Sequence, residues 1–247
     1  MKKQQLDINK NQYLEIEKLA MGVFAPLKKF MCHDTLTSCV EKMRLPTGEP
    51  FPIPVVFDIK TEDVEKYQDS KIIELIYEGE HVADLIPEKF YQPDKSKICE
   101  HVFGTTSDEH PGVKHYQSIG ECFVSGEVIL HKRPDFDFSK YEMTPEESRN
   151  HFKKMGWKTI VGFQTRNIPH RAHEYLQKTA LEHVDGIMIQ PLIGKKKSGD
   201  FNTQAVLAGY NALISNYYPQ DRAILSVLST VMRYAGPREA VFHAIIR

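Results

Sequence analysis

Short apolar segments separated by turns dominate the first part of the chain, up to about residue 140. Two pairs of segments flank glycine-bearing turns and predict hairpins: residues 71–77 with 81–85, and residues 122–124 with 128–131. The second predicted turn lies at Ser125 and Gly126. Residues 51–57 predict a further strand, whose two prolines place it at a sheet edge or at a strand start. This part of the chain is therefore predicted to be β-rich with short helices.

From Trp157 onward, strand-like apolar runs alternate with segments of helical periodicity. The predicted strands are residues 159–163, 186–190 and 223–227. Pro169 predicts the start of the first intervening helix, and its apolar face is predicted to be Ala172, Leu176, Thr179 and Ala180. In the second helix the apolar residues at helical spacing are Val206, Tyr210, Leu213, Ile214 and Tyr217. Strands that alternate with helices predict a parallel α/β sheet.

An irregular, proline-bearing connection separates these two patterns. We place the domain boundary near residues 141–144, which gives a first domain of residues 1–143 and the first part of a second domain in residues 144–247. A last helix is predicted from Gly236-Pro237 through Ile246. Its apolar side chains are expected to need a covering sheet: Val241, Phe242, Ile245 and Ile246.

Composition and charge are those of an ordinary globular protein, with 247 residues, 41% hydrophobic content and a formal net charge of −1. Interspersed charges argue against a general nucleic-acid binder or a membrane-surface binder. No secretory signal and no apolar run of bilayer length is visible. Four scattered cysteines without a CxxC pair fit a reducing compartment, so we predict a cytoplasmic location. Cys99 and His101 lack two further ligands at suitable spacing, and we interpret them as structural.

The polar segment after the strand at residues 159–163 carries the candidate chemistry. Gln164, Thr165, Arg166 and Asn167 form a loop, followed by two histidines three residues apart on one helix face, His170 and His173. A strand, a tight loop and a helix N-terminus make an anion site in open α/β sheets, and arginine offers a bidentate contact to an oxyanion. The alternative is an ordinary turn between strand and helix with two surface histidines.

Gln164-Thr165-Arg166-Asn167 followed by His170-Arg171-Ala172-His173 resembles the QTRN and HxxH motifs of ATP sulfurylases (sulfate adenylyltransferases). The histidine pair also looks like the HxGH signature of the wider class of nucleotidyltransferases that attack an α-phosphate. Residues 232–240, MRYAGPREA, match a family segment residue for residue. The chain reads Asn-Ile-Pro-His where many members read Asn-Pro-x-His, with the spacing unchanged. The resemblance implies an α/β protein with a PUA-like, β-rich domain in residues 1–143, followed by part of a Rossmann-like parallel α/β nucleotidyltransferase domain.

The same resemblance implies transfer of an adenylyl group from ATP to sulfate, which gives adenylyl sulfate and pyrophosphate in sulfur metabolism, with Mg²⁺ accompanying ATP. Gln164 and Arg166 are then expected to hold sulfate, and Thr165 and Asn167 to fix the loop and reach the phosphates. His170 and His173 are expected to stabilise charge on the phosphates as donors rather than bases. Three further substrate-binding residues are implied: Lys197, in a segment like the family's GxxKxGD loop, and Arg233 and Arg238, expected to be exposed beside the last helix. Lys195 and Lys196 are interpreted as solvated.

The family's GRDHAG loop has no counterpart in this sequence, which leaves open whether the 247-residue chain turns over alone. Two alternatives therefore stand beside adenylyl transfer to sulfate. One is another nucleotidyltransferase that uses the same histidine pair on a different acceptor. The other is an inactive fragment or partner subunit of the enzyme. The expected partners are ATP, sulfate and pyrophosphate, no nucleic acid and no membrane, and either further copies of the chain or a separate C-terminal piece.

Overall fold

The computed structural model describes residues 4–193 and 201–247. Within them the strands are β1 Gln4–Asp7, β2 Phe57–Ile59, β3 Ile73–Tyr77, β4 Glu80–Tyr91, β5 Cys122–Leu130, β6 Ile160–Thr165, β7 Gly186–Ile193, β8 Ala223–Leu225 and β9 Leu228–Ser229. The helices are α1 Lys10–Ala20, α2 His33–Lys42, α3 Val64–Tyr67, α4 Lys95–Phe103, α5 Pro111–Ser118, α6 Pro145–Lys154, α7 Arg171–Leu181, α8 Thr203–Tyr217 and α9 Pro237–Ile246. In this described part, no helix combines the length and apolar character needed to cross a membrane.

The first sheet has the order β1-β3-β4-β5-β2, with β1 and β3 parallel and the other pairs antiparallel. The hairpin predicted around residues 78–80 is confirmed as β3 and β4. Its turn residues Glu78 and Gly79 both have positive φ, 52° and 81°. Such left-handed backbone is what a two-residue hairpin turn requires, so the glycine signalled the turn correctly.

The second predicted hairpin is wrong, because Cys122–Leu130 is one continuous strand. Gly126 lies where the pairing of β4 with β5 shifts register between Pro87 and Lys89. A Cβ at Gly126 would lie 2.2 Å from the carbonyl oxygen of Ile86. Glycine is therefore needed for a close backbone approach at a bulge, and not for a turn. The strand predicted at residues 51–57 is also largely wrong: β2 begins only at Phe57, although the preceding segment is mostly buried.

The second sheet is parallel, as predicted, with the order β6-β7-β8 and with β9 pairing further along β7. Its core contains side chains from the central strand and from the helices around it: Leu181, Ile187, Ile189, Val206, Tyr210 and Tyr218. The predicted strand at residues 223–227 is split into β8 and β9. Because β7 lies centrally and its strand partners are parallel, the carboxyl ends of these strands lie along one edge.

The chain divides into two compact units, and the domain boundary near residues 141–144 stays a prediction. The first unit contains Met1–Pro134 together with Arg233–Arg247, and the second unit contains Asp135–Met232. The predicted helix α9 therefore belongs to the first unit. Its Phe242 is fully buried, with its ring 5.6 Å from those of Phe24 and Phe51. The expectation that this helix needs a further sheet is thus wrong for Phe242, whereas Val241 is 48% exposed.

Candidate functional site

The candidate segment lies where β6 ends and α7 begins, within the second unit. β6 ends at Thr165, opposite Pro191 of the parallel neighbour β7, and α7 starts at Arg171. His170 occupies the N-cap position of α7, and its side chain accepts no hydrogen bond from the first-turn N–H groups. A helix N-terminus with uncapped N–H groups at the carboxyl end of a parallel strand is a favourable place for an anion.

Thr165 fixes the shape of the loop. Its side chain is buried, and its Oγ1 accepts a hydrogen bond of 3.1 Å from the N–H of Asn167. The Thr165 hydroxyl lies 3.4 Å from the carbonyl oxygen of Asn167, at the outer limit for donation. Below the loop, burial raises the pKa of Tyr210 on α8, while the side chains of Thr165 and Gln177 act in the opposite direction. The buried hydroxyl of Thr165 therefore stabilises the loop by hydrogen bonding to the backbone of Asn167.

Pro169 was predicted to begin the helix, but it precedes α7 by two residues and packs on α8 instead. A Cβ added at Gly209 would lie 2.8 Å from Cδ of Pro169 and 3.3 Å from Cγ2 of Ile168. The missing side chain of Gly209 therefore lets α8 support the loop at close range. Sequence reasoning missed Gly209, because a glycine within a helical pattern gives no sign of which distant residue approaches it.

The two histidines of the HxxH pair lie against each other, as their spacing predicted. Their ring centroids are 3.9 Å apart with an interplanar angle of 23°. Phe163 of β6 contacts His173 edge-on, at 5.6 Å between centroids. Burial, and then the neighbouring His170, lower the pKa of His173, while the backbone carbonyl of Ile168 acts weakly in the opposite direction. His173 is therefore held in its neutral form near pH 7, in which an imidazole can still donate one hydrogen bond.

Arg166 supplies the cationic group of the segment. Its side chain is half-buried, and its guanidinium has no hydrogen-bond or ion-pair partner within residues 4–193 and 201–247. Gln164 and Asn167 beside it are exposed. A guanidinium without a protein carboxylate keeps its fork of donors for an oxyanion, which is the arrangement that bidentate recognition needs.

The face of α7 that packs inward differs from the predicted one. Leu176 and Tyr175 are largely exposed, whereas Gln177 and Leu181 are buried. Gln177 is buried because its Oε1 accepts a 2.7 Å hydrogen bond from the hydroxyl of Tyr218. A buried amide with a partner 41 residues away gives no signal in a local hydrophobic pattern, so the periodicity indicated the wrong face.

The two arginines of residues 232–240 lie in the first unit and have protein partners. The expectation that Arg233 is exposed is wrong: it is buried, and its Nη2 donates to Glu15 at 2.5 Å. Arg238 donates to the carbonyl oxygens of Val40, at 2.9 Å, and Pro52, at 3.3 Å. Both guanidiniums therefore hold the returning segment to the first unit, and their contact with phosphates stays a prediction.

Glu239 stabilises the backbone conformation of residues 233–235 in the same segment. Its carboxylate accepts hydrogen bonds from the backbone N–H groups of Arg233, at 2.8 Å, and Ala235, at 3.1 Å. Between them Tyr234 has a φ of 59°, so the backbone turns sharply here and its N–H groups need an acceptor. Lys197, the remaining predicted site residue, lies outside the described residues.

Comparisons with known proteins show which families and relatives the chain resembles. A PUA-like domain model matches residues 1–133, and an ATP-sulfurylase model matches residues 139–247. The sulfate adenylyltransferase of Thermococcus onnurineus is 43% identical over 241 residues. The chain is therefore similar to sulfate adenylyltransferases over nearly its whole length. The Pyrococcus abyssi and Chloroflexus aurantiacus sulfate adenylyltransferases are 39% and 41% identical, each over 98% of this chain.

The ATP-sulfurylase relatives are longer than this chain, which spans 62% of the Thermococcus protein and 63% of the other two. Among solved structures, the hexameric APS kinase from Thiobacillus denitrificans matches 99% of this chain, with a TM-score of 0.75 and 22% identity. The chain covers 45% of that protein. At this identity the likeness shows the fold alone.

Proposed function

We propose that the segment from Gln164 to His173 binds sulfate and the phosphates of ATP, and that it serves adenylyl transfer between them. The observation that carries this proposal is the meeting of three features at one strand end. They are the unpaired guanidinium of Arg166, the stacked rings of His170 and His173, and the uncapped N-terminus of α7. All three favour a ligand that carries several negative charges.

Sulfate is assigned to Arg166 and Gln164. The guanidinium presents two parallel N–H donors to two sulfate oxygens, and the exposed amide of Gln164 adds a further donor. A third sulfate oxygen attacks the α-phosphorus of ATP, the new S–O–P linkage forms, and the bond to pyrophosphate breaks. Sulfate carries no proton at neutral pH, so the attack requires no general base. The chain contributes position and charge stabilisation.

The phosphates are assigned to Asn167, His170 and His173. The neutral imidazole of His173 can donate a hydrogen bond to a phosphate oxygen without leaving a partly buried cation unpaired. As negative charge accumulates on the α- and β-phosphates, protonation of His173 becomes more favourable. The lowered pKa of His173 therefore makes the protonation of the imidazole responsive to a negatively charged ligand.

Mg²⁺, which the family resemblance implies together with ATP, does not fit a protein-held position at this segment. In the described residues around it the first-turn acid of α7 is Glu174, and its carboxylate accepts from Nζ of Lys178 at 2.6 Å. No cluster of carboxylates accompanies Glu174 in that described part of the segment. Because Mg²⁺ prefers several oxygen ligands, we assign it to the phosphates of ATP.

The names of the relatives support sulfate as the acceptor over another acceptor for the same histidine pair. Adenylyl transfer by this chain, further copies of it as partners, and a separate C-terminal piece stay predictions. A cytoplasmic location also stays a prediction, and the free thiols of all four cysteines support it.

Arg166→Lys tests the sulfate assignment directly. The substitution keeps the charge but removes the fork, so we expect the sulfate affinity of the 247-residue chain to fall at least about tenfold, which is about 1.4 kcal/mol. Isothermal titration calorimetry measures the affinity. Arg149→Lys on α6 is the matched control, since Arg149 is exposed and lies outside the segment. The same proteins are then assayed for sulfate-dependent release of pyrophosphate from ATP.

Equal sulfate affinity in wild type and Arg166→Lys would contradict the assignment of Arg166. Pyrophosphate release that does not depend on sulfate would contradict sulfate as the acceptor. If the chain binds sulfate through Arg166 but releases no pyrophosphate, the anion site stands and adenylyl transfer by this chain alone is contradicted.

A further inference from the structure

A bulge in the first sheet places two ligand-type side chains on one face. In a regular strand, residues three apart point to opposite faces. Leu75 of β3 pairs with Ala83 of β4, but the next residue, Ile76, pairs with His81, so Val82 is an extra residue. The extra residue reverses the alternation, and Nε2 of His81 lies 2.7 Å from Oδ1 of Asp84.

The same bulge positions a third side chain. The carbonyl oxygen of Val82 accepts hydrogen bonds from the N–H groups of His131, at 2.8 Å, and Lys132, at 3.1 Å, directly after β5. This contact brings Nε2 of His131 to 3.0 Å from Oδ2 of Asp84. The rings of His81 and His131 are 5.0 Å apart. One irregularity in the backbone therefore brings together two imidazoles and one carboxylate, from β4 and from the residue after β5.

The geometry of this cluster suits a metal ion. One ligand atom from each of His81, Asp84 and His131 lies within 4.8 Å of the others. In a tetrahedral zinc site with bonds of about 2.0–2.1 Å, neighbouring ligand atoms are separated by roughly 3.3 Å. Oδ1 and Oδ2 of Asp84 lie 2.7 and 3.0 Å from Nε2 of His81 and of His131, respectively, so each contact is within a few tenths of an ångström of that spacing. The histidine side chains are 36% and 40% exposed, which leaves room for water as a further ligand.

We propose that His81, Asp84 and His131 form a site for a divalent transition metal of the zinc type, with water completing the coordination. Two imidazole nitrogens and one carboxylate oxygen match the preferences of Zn²⁺ better than those of Mg²⁺ or Ca²⁺, which favour oxygen ligands. The ion joins β4 to the end of β5 and stabilises the bulge. The site lies in the first unit and does not depend on the function proposed for the second.

The test is metal binding by the complete 247-residue chain without an affinity tag. After dialysis against a chelator, the chain is titrated with Zn²⁺ by calorimetry and with Co²⁺ by visible absorption, which reports imidazole coordination. The variants are His131→Asn and Asp84→Asn, and the matched control is His101→Asn, an exposed histidine of the same unit. Circular dichroism checks that every variant is folded.

We expect wild type and His101→Asn to bind one equivalent of Zn²⁺ and to unfold at a higher temperature with the metal than without it. Loss of a direct ligand should weaken binding on the order of 100-fold or more, because even residues that only support a ligand are worth 10–100-fold. Zinc affinity of His131→Asn and Asp84→Asn equal to that of wild type would overturn the proposal. So would the absence of zinc binding to wild type, which would leave a hydrogen-bonded cluster only.

Discussion

His173 illustrates how a single residue is tuned by its surroundings before any ligand arrives. Its imidazole is packed between Phe163 and His170, and burial and the adjacent histidine favour the neutral form. Two imidazoles whose centroids are 3.9 Å apart cannot both be protonated without strong repulsion. A polyphosphate removes that repulsion because it supplies the compensating negative charge. The pair is therefore suited to a ligand whose charge increases during the reaction.

The first prediction is that His173 titrates below the ordinary histidine pKa of about 6.5 in the free chain. NMR of the imidazole Cε1–H measures the midpoint, with His173→Gln to assign the signal. His170→Ala should raise the pKa of His173 towards its ordinary value but not fully, since burial remains as the larger cause. Adding tripolyphosphate should raise it as well. A midpoint unaffected by either change would show that the pair is not coupled.

The same shift has a consequence for stability. The pKa of His173 is lower in the folded state than in the unfolded state, so between the two values the unfolded state binds more protons. The contribution of neutral His173 to the free energy of unfolding is therefore fully present above about pH 6.5. It is lost as the pH falls through the pKa that His173 has in the folded state. In His173→Gln the free energy of unfolding should therefore fall less steeply as the pH is lowered below about 6.5.

Sequence predicted the local arrangement of some candidate residues well and that of others poorly. The three-residue spacing of His170 and His173 was enough to bring their rings together, because helix geometry is local. Arg233 could not be placed in the same way. Its burial depends on Glu15, 218 residues earlier in the chain, and a local motif carries no information on such a partner.

At the scale of elements, the support that α8 gives to the candidate loop is the main unforeseen feature. Gly209 lies in the middle of a 15-residue helix, where glycine costs about 1 kcal/mol relative to alanine. The close approach of Pro169 to Gly209 explains why a glycine is suited to this position despite that cost. The loop is thus held from below by a rigid helix as well as by Thr165.

The second prediction is that Gly209→Ala weakens sulfate binding and lowers the free energy of unfolding by at most about 2 kcal/mol. The added Cβ would lie 2.8 Å from the Pro169 ring, so the loop must move. Overpacking costs about 1–3 kcal/mol, and improved helix propensity offsets about 1 kcal/mol of it. Calorimetry with sulfate and urea denaturation measure the two effects. Ser215→Ala, at an exposed position on the same helix, should change neither; an unaltered sulfate affinity in Gly209→Ala would show that the loop does not depend on this contact.

The strands and helices show why patterns succeed in some places and fail in others. The parallel order of β6, β7 and β8 followed from alternation of element types, which is a property of the whole segment. The prediction of a turn at Ser125 and Gly126 was wrong because glycine occurs in bulges as well as in turns. Only the close approach of Ile86 on the facing strand shows that Gly126 belongs to a bulge. The prediction of the inward face of α7 was wrong because the buried residue Gln177 is polar and is held by a hydrogen bond with Tyr218, which a hydrophobic pattern does not reveal.

At the scale of the whole molecule, the return of Arg233–Arg247 to the first unit is the feature that sequence did not predict. The ring of Phe242 lies fully buried among Phe24 and Phe51, and the guanidinium of Arg233 lies 5.6 Å from its centroid. Residues 1–143 therefore lack part of their own core when they are considered as a separate domain.

The third prediction concerns that core. Phe242→Ala should lower the free energy of unfolding by about 3–5 kcal/mol, as expected for a fully buried aromatic side chain. Urea denaturation followed by far-UV circular dichroism measures it. Val241→Ala on the same helix is the matched control, and because Val241 is 48% exposed its cost should be within about 1 kcal/mol. Equal effects of the two substitutions would mean that α9 does not contribute to the core of the first unit.

The first unit is formed by two separate parts of the sequence, so its folding cannot be completed until both parts have been synthesised. Residues up to Pro134 emerge first, but Phe24, Phe51 and Glu15 must wait for their partners in residues 233–247. At about 5–20 residues per second, synthesis of the intervening residues takes roughly 5–20 s. During that interval the second unit, which is continuous in sequence, can reach its final fold. The part synthesised first is therefore completed only after residues 135–232 have been made, and until then its uncovered aromatic side chains are available to chaperones.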